Sequence, residues 1–258
     1  MKKKTFSLLL TGLLLASCSR ANAPQELVSY IDNCSLAKAK EEVKTIIYNY
    51  ENIVKDRDDN TLSKLTMVEY WDNSNSEDFY KYQEENYEGE KVYFNEEYNL
   101  YEIKRINYTH YIQEENLYYV DTMIYGYENK DLTGEMKNYK LSPAKYPVTA
   151  MNDVIYKIFA SQMTMGMNQG GLYYANFMDS NLTYYPYMSI VDDLFVLELK
   201  DYPYKTESES GLIQEKVRMN SLGLLVDFYQ DANNGGTGKS SIVNASASYN
   251  QDITHKSL

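Results

Sequence analysis

Hydrophobic positions in the first third of the chain change from a helical spacing to an alternating one. Between residues 36 and 54, apolar side chains recur at steps of three and four, which predicts an amphipathic helix with one apolar stripe. Ser35 can cap its start, and the charged cluster at 56–60 predicts its end. We expect this stripe to pack against a sheet, because an apolar helix face has to be buried.

Alternation with a period of two dominates the region that follows. Tyr, Ile and Val alternate with Glu, Lys, Arg or Asn, as is typical of antiparallel strands that have one face in water. The pair Glu88 and Gly89 is a turn signal between two of these segments. The predicted strands in this region are 65–71, 78–87, 90–94, 99–111 and 116–127.

A second helical pattern lies in the middle of the chain. Pro143 and Pro147 end the strand pattern, and Thr149 can cap a helix that continues towards residue 167. Its apolar stripe is rich in methionine, a flexible side chain that fills irregular space and would suit a pliable pocket, although plain core packing is the alternative. The candidate ligand-binding residues on this stripe are Ile155, Ile158, Phe159 and Met163.

Strand patterns return in the last third of the chain. Residues 220–223 predict a hairpin turn, and residues 233–236 predict a second turn or loop. The tail at 251–258 is polar, and we expect it to be frayed. The predicted strands are 172–178, 182–190, 194–199, 212–219, 224–229 and 242–249.

The first eighteen residues predict export and attachment to a membrane. Lysines at 2–4 precede an apolar run at 6–15, which is too short to span a bilayer because a spanning helix needs roughly 20 apolar residues. The tetrapeptide Leu-Ala-Ser-Cys at 15–18 resembles the lipobox of bacterial lipoproteins. The resemblance implies cleavage before Cys18, lipidation of its sulfur, and a location on the extracytoplasmic face of the cell membrane. An ordinary secretory signal with an incidental cysteine is the alternative.

These signals divide the chain into four parts. We expect a lipoprotein signal peptide at 1–17, a lipidated tether at 18–25, a single domain at 26–250 and the polar tail. With Cys18 acylated, Cys34 has no partner in the chain, so we expect no intramolecular disulfide and a fold stabilised by its core.

Charge and tyrosine content narrow the classes of binding partner that we expect. Removing residues 1–17 deletes three lysines and no acidic residue, which takes the formal net charge from −12 to −15. An acidic domain repels phosphate backbones, so we expect no nucleic-acid partner, and contact with the membrane has to come from the anchor. Tyrosines outnumber phenylalanines by 28 to 7, which suits strands and surfaces that are apolar but wet at one end.

The sequence contains no complete catalytic motif. The tripeptide Gly-Lys-Ser at 238–240 resembles a phosphate-binding loop, but Asn233 stands where that loop needs its first glycine. His110 is interpreted as a strand surface residue, and His255 lies in the tail. Adjacent acidic residues on a strand point to opposite faces, so the acidic pairs are poor metal sites. We therefore expect no enzyme, no cofactor and no metal.

The order of predicted elements resembles that of the LolA/LolB-like lipoprotein carriers. A helix, antiparallel strands, a mid-chain helix and further strands follow one another, and residues 217–220 and 223–226 resemble that family's closing hairpin within 192–249. The resemblance implies an α+β fold. In this fold a strongly curved antiparallel sheet or incomplete β-barrel is covered by an N-terminal and a mid-chain helix, and it encloses a cavity for acyl chains.

Two functions remain open on this basis. The leading hypothesis is a membrane-anchored lipoprotein that binds or carries a lipid or amphiphile in a hydrophobic cavity. The alternative is a surface adhesion or glycan- or peptide-binding lipoprotein that uses its tyrosine-rich strand faces. A closed apolar cavity would favour the first, and an outward tyrosine platform would favour the second.

Overall fold

The described part of the chain is almost entirely β-sheet. A computed structural model of the protein describes residues 24–33, 36–74, 79–112, 115–147, 188–205, 210–235, 238–256 and 258. Two short helices, α1 (Gln25–Asn33) and α2 (Leu36–Glu42), precede one open sheet of 13 strands. Every strand pair in this sheet is antiparallel.

The first and last of the described strands pair at the centre of the sheet. Strands from the first half of the chain extend to one side of this pair, and strands from the second half extend to the other side. The strands are β1 Thr45–Lys55, β2 Thr61–Asp72, β3 Tyr80–Gly89, β4 Tyr93–Asn95, β5 Leu100–Ile112, β6 Leu117–Tyr127, β7 Lys137–Lys140, β8 Ala144–Pro147, β9 Met188–Val191, β10 Leu194–Lys205, β11 Ser210–Met219, β12 Leu225–Asn234 and β13 Lys239–Tyr249.

The predicted α+β fold class is wrong. Among the described residues, helices occur only before β1, so the sheet is not covered by an N-terminal helix together with a mid-chain helix. The periodic segment 36–54 is helical over α2 alone, and its second half belongs to β1. Ile46, Tyr48 and Tyr50 also fit a spacing of two, and pairing with β2 and β13 on both sides favours the strand. The predicted mid-chain helix lies outside the described residues.

The charged cluster at 56–60, predicted to end a helix, forms the turn between β1 and β2. Asp56 Oδ1 accepts hydrogen bonds from the backbone N–H groups of Asp58 and Asn60, both at 2.9 Å. Asp59 has a φ of 66°, a left-handed conformation that Asp tolerates better than most residues. Local turn chemistry therefore reverses the chain here.

The strands predicted from alternation are largely confirmed where the structure describes them. The predicted segments 99–111 and 116–127 correspond to β5 and β6, each with ends shifted by one residue or less. The predicted turn at 220–223 joins β11 to β12. Two predicted segments lie outside the described residues: the strand 172–178, and the part of the strand 182–190 that precedes β9.

Strand pairing and side-chain alternation divide the sheet into two faces. One face, called the helix side, contacts α1 through Leu27 and α2 through Ala39. The opposite face, called the tail side, carries a smaller apolar cluster built around Tyr80, Tyr82 and Ile106. Most of the core therefore lies on the helix side.

The C-terminal segment 251–256 lies on the tail side and is held against the sheet, contrary to the predicted fraying. The His255 ring stacks on Tyr80 with centroids 4.0 Å apart, and its Nε2 lies 2.8 Å from Asp72 Oδ2. The backbone N–H of Lys256 donates a hydrogen bond of 2.8 Å to the Tyr80 hydroxyl. These contacts hold the segment against β2 and β3.

Candidate functional site

An open groove of about 560 Å³ crosses the middle of the tail side. It runs over β3, β2, β1, β13 and β12, and neighbouring strands lie roughly 4.8 Å apart, so the groove is about 19 Å long. Alternate positions on these strands direct mainly amide, hydroxyl and carboxylate groups into it. The side chains that line the groove from the tail side of the sheet are Asn49, Glu51, Thr66, Val68, Asn86, Asp227, Tyr229, Asn244 and Ser246.

Strand register aligns these side chains in two rows across the sheet. In the first row Val68 lies opposite Asn49, which lies opposite Ser246, and Ser246 in turn lies opposite Asp227. The second row runs through Asn86, Thr66, Glu51, Asn244 and Tyr229. The rows follow the strand order, so a linear ligand would lie across the strands.

The two carboxylates of the groove are already paired with basic side chains. Glu51 Oε1 lies 2.7 Å from Lys64 Nζ, and the hydrogen bond from Lys64 lowers the pKa of Glu51. Asp227 accepts hydrogen bonds from both Nε and Nη2 of Arg218, a bidentate arrangement that also raises the pKa of Arg218. The charges within the groove are therefore largely balanced.

Other polar side chains in the groove are not used within the described structure. Asn49, Thr66, Asn86, Tyr229 and Ser246 make no side-chain hydrogen bond to a described residue. Tyr229 is 38% exposed, and burial raises its pKa, so its hydroxyl is protonated at neutral pH. Amide and hydroxyl groups both donate and accept hydrogen bonds. The groove can therefore bind a neutral ligand that carries many hydroxyl or amide groups.

The groove is formed by residues far apart in sequence. Asn244 Nδ2, for example, donates a hydrogen bond of 3.4 Å to Glu51 Oε2 across 193 positions of the chain. Sequence reasoning missed this site because each strand contributes only ordinary polar residues at alternate positions. The available signal was that β1, β2 and β13 have polar residues on the face opposite their apolar stripe.

None of the predicted site residues belongs to the part of the chain that the structure describes. The lipidation residue Cys18 and the pocket residues Ile155, Ile158, Phe159 and Met163 lie outside the described residues. Within the part of the chain that is described, no cluster of His, Cys, Asp or Glu could hold a metal ion. No helix in that same part is long and apolar enough to cross a membrane.

His110 lies in a stack of rings on the tail side. Its ring centroid is 5.1 Å from that of Tyr108 and 5.8 Å from that of Tyr119, and its Nδ1 lies 3.6 Å from Asp121 Oδ2. These are the contacts of a partly buried strand residue, which agrees with the predicted placement of His110 on a strand.

Comparison with known proteins gives structural likenesses only. No protein-family model and no curated protein matches the chain. Among similar solved structures is a DUF1329 family protein from Desulfovibrio piger, with 10% identity and a TM-score of 0.25 over 88% of this chain and 95% of that chain. Another is a candidate outer membrane lipoprotein-sorting protein domain from Vibrio parahaemolyticus, with 12% identity and a TM-score of 0.25 over 88% and 95% of the two chains. TM-scores this low do not assign a fold family or a function.

Proposed function

We propose that this chain is a membrane-tethered lipoprotein of the cell envelope that binds a neutral oligosaccharide in the groove on the tail side. The observation that carries the proposal is the set of unused amide and hydroxyl groups beside the exposed ring of Tyr229. Sugar hydroxyls donate and accept hydrogen bonds, as do Asn, Ser and Thr side chains. The apolar face of a sugar ring can pack on an aromatic ring such as that of Tyr229.

Charge favours a neutral ligand over an acidic one. The chain has a formal net charge of −12, and the groove itself contains Glu51 and Asp227. An acidic sugar would approach against this field. Because both carboxylates are paired with Lys64 and Arg218, the groove has little residual attraction for a cation either.

The proposed location rests on the lipobox resemblance at 15–18. Lipidation of Cys18 would hold the groove close to the membrane on its extracytoplasmic side. Envelope and environmental glycans are accessible from that position.

A titration with matched variants tests the proposal. Full-length protein in detergent micelles is titrated with neutral linear hexasaccharides of glucose, mannose and N-acetylglucosamine by isothermal calorimetry. We expect saturable binding of at least one of them, and Tyr229→Ala should weaken it about ten-fold, which corresponds to about 1.4 kcal/mol.

Tyr146→Ala is the matched control for Tyr229→Ala. Tyr146 is 42% exposed, similar to the 38% of Tyr229, but it lies on β8, away from the groove. We expect Tyr146→Ala to bind like the wild type. Absence of binding to every hexasaccharide, or an equal loss in both variants, would overturn the proposal.

A second candidate function is the carriage of an acyl chain, which the apolar side chains buried on the helix side favour. Phe195, Leu197 and Val217 on this face are at most 1% exposed. The pocket proposed from the sequence would add Ile158 and Met163. A charged residue at either position should then weaken binding of a fluorescent fatty acid far more than it lowers the melting temperature. Lack of saturable fatty-acid binding by the wild type would exclude this candidate.

A further inference from the structure

The ammonium group of Lys256 lies over two tyrosine rings on the tail side. Its Nζ is 4.8 Å from the centroid of the Tyr70 ring and 5.0 Å from that of the Tyr82 ring. The carboxylate of Glu84 is near enough to interact with the same charge. Aromatic faces attract a cation through the ring quadrupole. Glu84 adds its negative charge to this attraction, although it is also paired with Lys104. We call the site formed by Tyr70, Tyr82 and Glu84 the aromatic cage.

The cage is built by strands β2 and β3, independently of the tail. Tyr70 and Tyr82 are direct partners in the β2–β3 pairing, with ring centroids 6.1 Å apart. Glu84 Oε2 accepts a hydrogen bond of 2.8 Å from the Tyr82 hydroxyl, and Glu84 Oε1 lies 2.8 Å from Lys104 Nζ. Burial raises the pKa of Glu84, but the hydrogen bonds with Lys104 and Tyr82 together outweigh burial, and the net effect is a lowered pKa. Glu84 is therefore a carboxylate at neutral pH. These contacts between Tyr70, Tyr82, Glu84 and Lys104 do not involve the tail.

The lysine that fills the cage is easily replaced. Lys256 is exposed, and the segment 251–256 is neither helix nor strand. The backbone N–H of Lys256 donates one hydrogen bond to Tyr80. The other contacts of the segment are made by the His255 ring, by Ile253 and by the Gln251 carbonyl, and none of them involves the Lys256 side chain. A competing cation has to displace only a side chain that is already at the surface.

We propose that Tyr70, Tyr82 and Glu84 form a binding site for an alkylammonium group, and that the Lys256 side chain occupies this site in the isolated chain. The site is separate from the groove, because none of its three residues lines the groove. It adjoins the groove, since Glu84 lies directly opposite Val68 in the β2–β3 pairing. The proposal does not depend on oligosaccharide binding.

Choline and its uncharged analogue 3,3-dimethylbutan-1-ol test the site. The two probes have nearly the same shape and differ in charge. Full-length wild type, Lys256→Gln and Lys256→Ala are titrated with each probe and followed by NMR. We expect choline to bind both variants about ten-fold more tightly than the wild type, because they leave the cage unfilled. We expect no measurable binding of the analogue.

Two further variants separate the cage from other surfaces. Tyr70→Leu added to Lys256→Gln should remove choline binding, whereas Tyr229→Ala, in the groove, should leave it unchanged. Choline binding that is equal for the wild type and both Lys256 variants would overturn the proposal. So would equal binding of choline and the analogue, or no choline binding by either folded variant.

Discussion

Burial of the Glu215 carboxyl group on the helix side makes the stability of the fold depend on pH. Glu215 is 2% exposed, and its Oε2 accepts a hydrogen bond of 2.7 Å from Gln230 Nε2. Its Oε1 is buried and has no hydrogen-bond partner among the described residues. Burial raises the pKa of Glu215 to about 7, although the hydrogen bond from Gln230 acts in the opposite direction.

The sign of the pH effect follows from this raised pKa. The folded state holds the proton of Glu215 more tightly than the unfolded state, in which the group has its ordinary value of 4.5. The stabilisation is complete below the unfolded pKa and is lost as the pH rises through about 7. At 1.36 kcal/mol per pKa unit, the shift corresponds to about 3 kcal/mol.

Glu215→Gln isolates this contribution. Glutamine keeps an oxygen that can accept the hydrogen bond from Gln230, but it cannot ionise. We expect the variant to be more stable than the wild type by about 3 kcal/mol at pH 8, and the difference to fall steadily towards pH 4.5. Urea unfolding followed by circular dichroism between these pH values measures it. Glu198→Gln, an exposed position on β10, is the control and should show no such trend. An unfolding free energy with the same pH dependence in wild type and Glu215→Gln would refute the reasoning.

Three further predictions concern the backbone, the first hairpin and the anchor. Gly89→Ala should lower the unfolding free energy by more than about 2 kcal/mol. Gly89 has a φ of 59°, and a Cβ there would lie 2.1 Å from the Leu62 carbonyl oxygen. Thermal unfolding checks this, and an unchanged midpoint would contradict it. Asp56→Ala should lower the urea midpoint more than Asp58→Ala, because it removes the acceptor of two turn N–H groups; equal midpoints would argue against this. Cys18→Ala should abolish labelling by a fatty-acid probe, and undiminished label would rule out lipidation at Cys18.

Strand positions could be predicted from the sequence where local pattern and pairing agree. Apolar and polar residues alternate over much of β5, β6 is rich in Tyr, Val and Ile, and the two strands are neighbours in sequence. In β1 they disagree, because Ile46 and Tyr50, four residues apart, fit a helical stripe as well as alternation. The strand β13, which completes the pairing of β1, is near the other end of the chain. Tertiary pairing of this kind overrides a local helical pattern.

The groove and the aromatic cage could not be predicted for a related reason. Their residues become a site only when the register between strands is known, since a shift of one residue would turn each side chain to the opposite face. The polar composition of the tail predicted fraying, but His255 and Lys256 find aromatic and acidic partners on β2 and β3. A polar segment is ordered when the surface beneath it offers such partners.

Filling the groove is the most direct test of oligosaccharide binding. Ser246 is exposed, lies between Asn49 and Asp227 in the sheet, and can accept a large side chain that is favourable in strands. We predict that full-length Ser246→Trp loses calorimetric binding of the hexasaccharide that the wild type binds, while its melting temperature is unchanged. Undiminished hexasaccharide binding by folded Ser246→Trp would contradict the assignment of this groove as the ligand site.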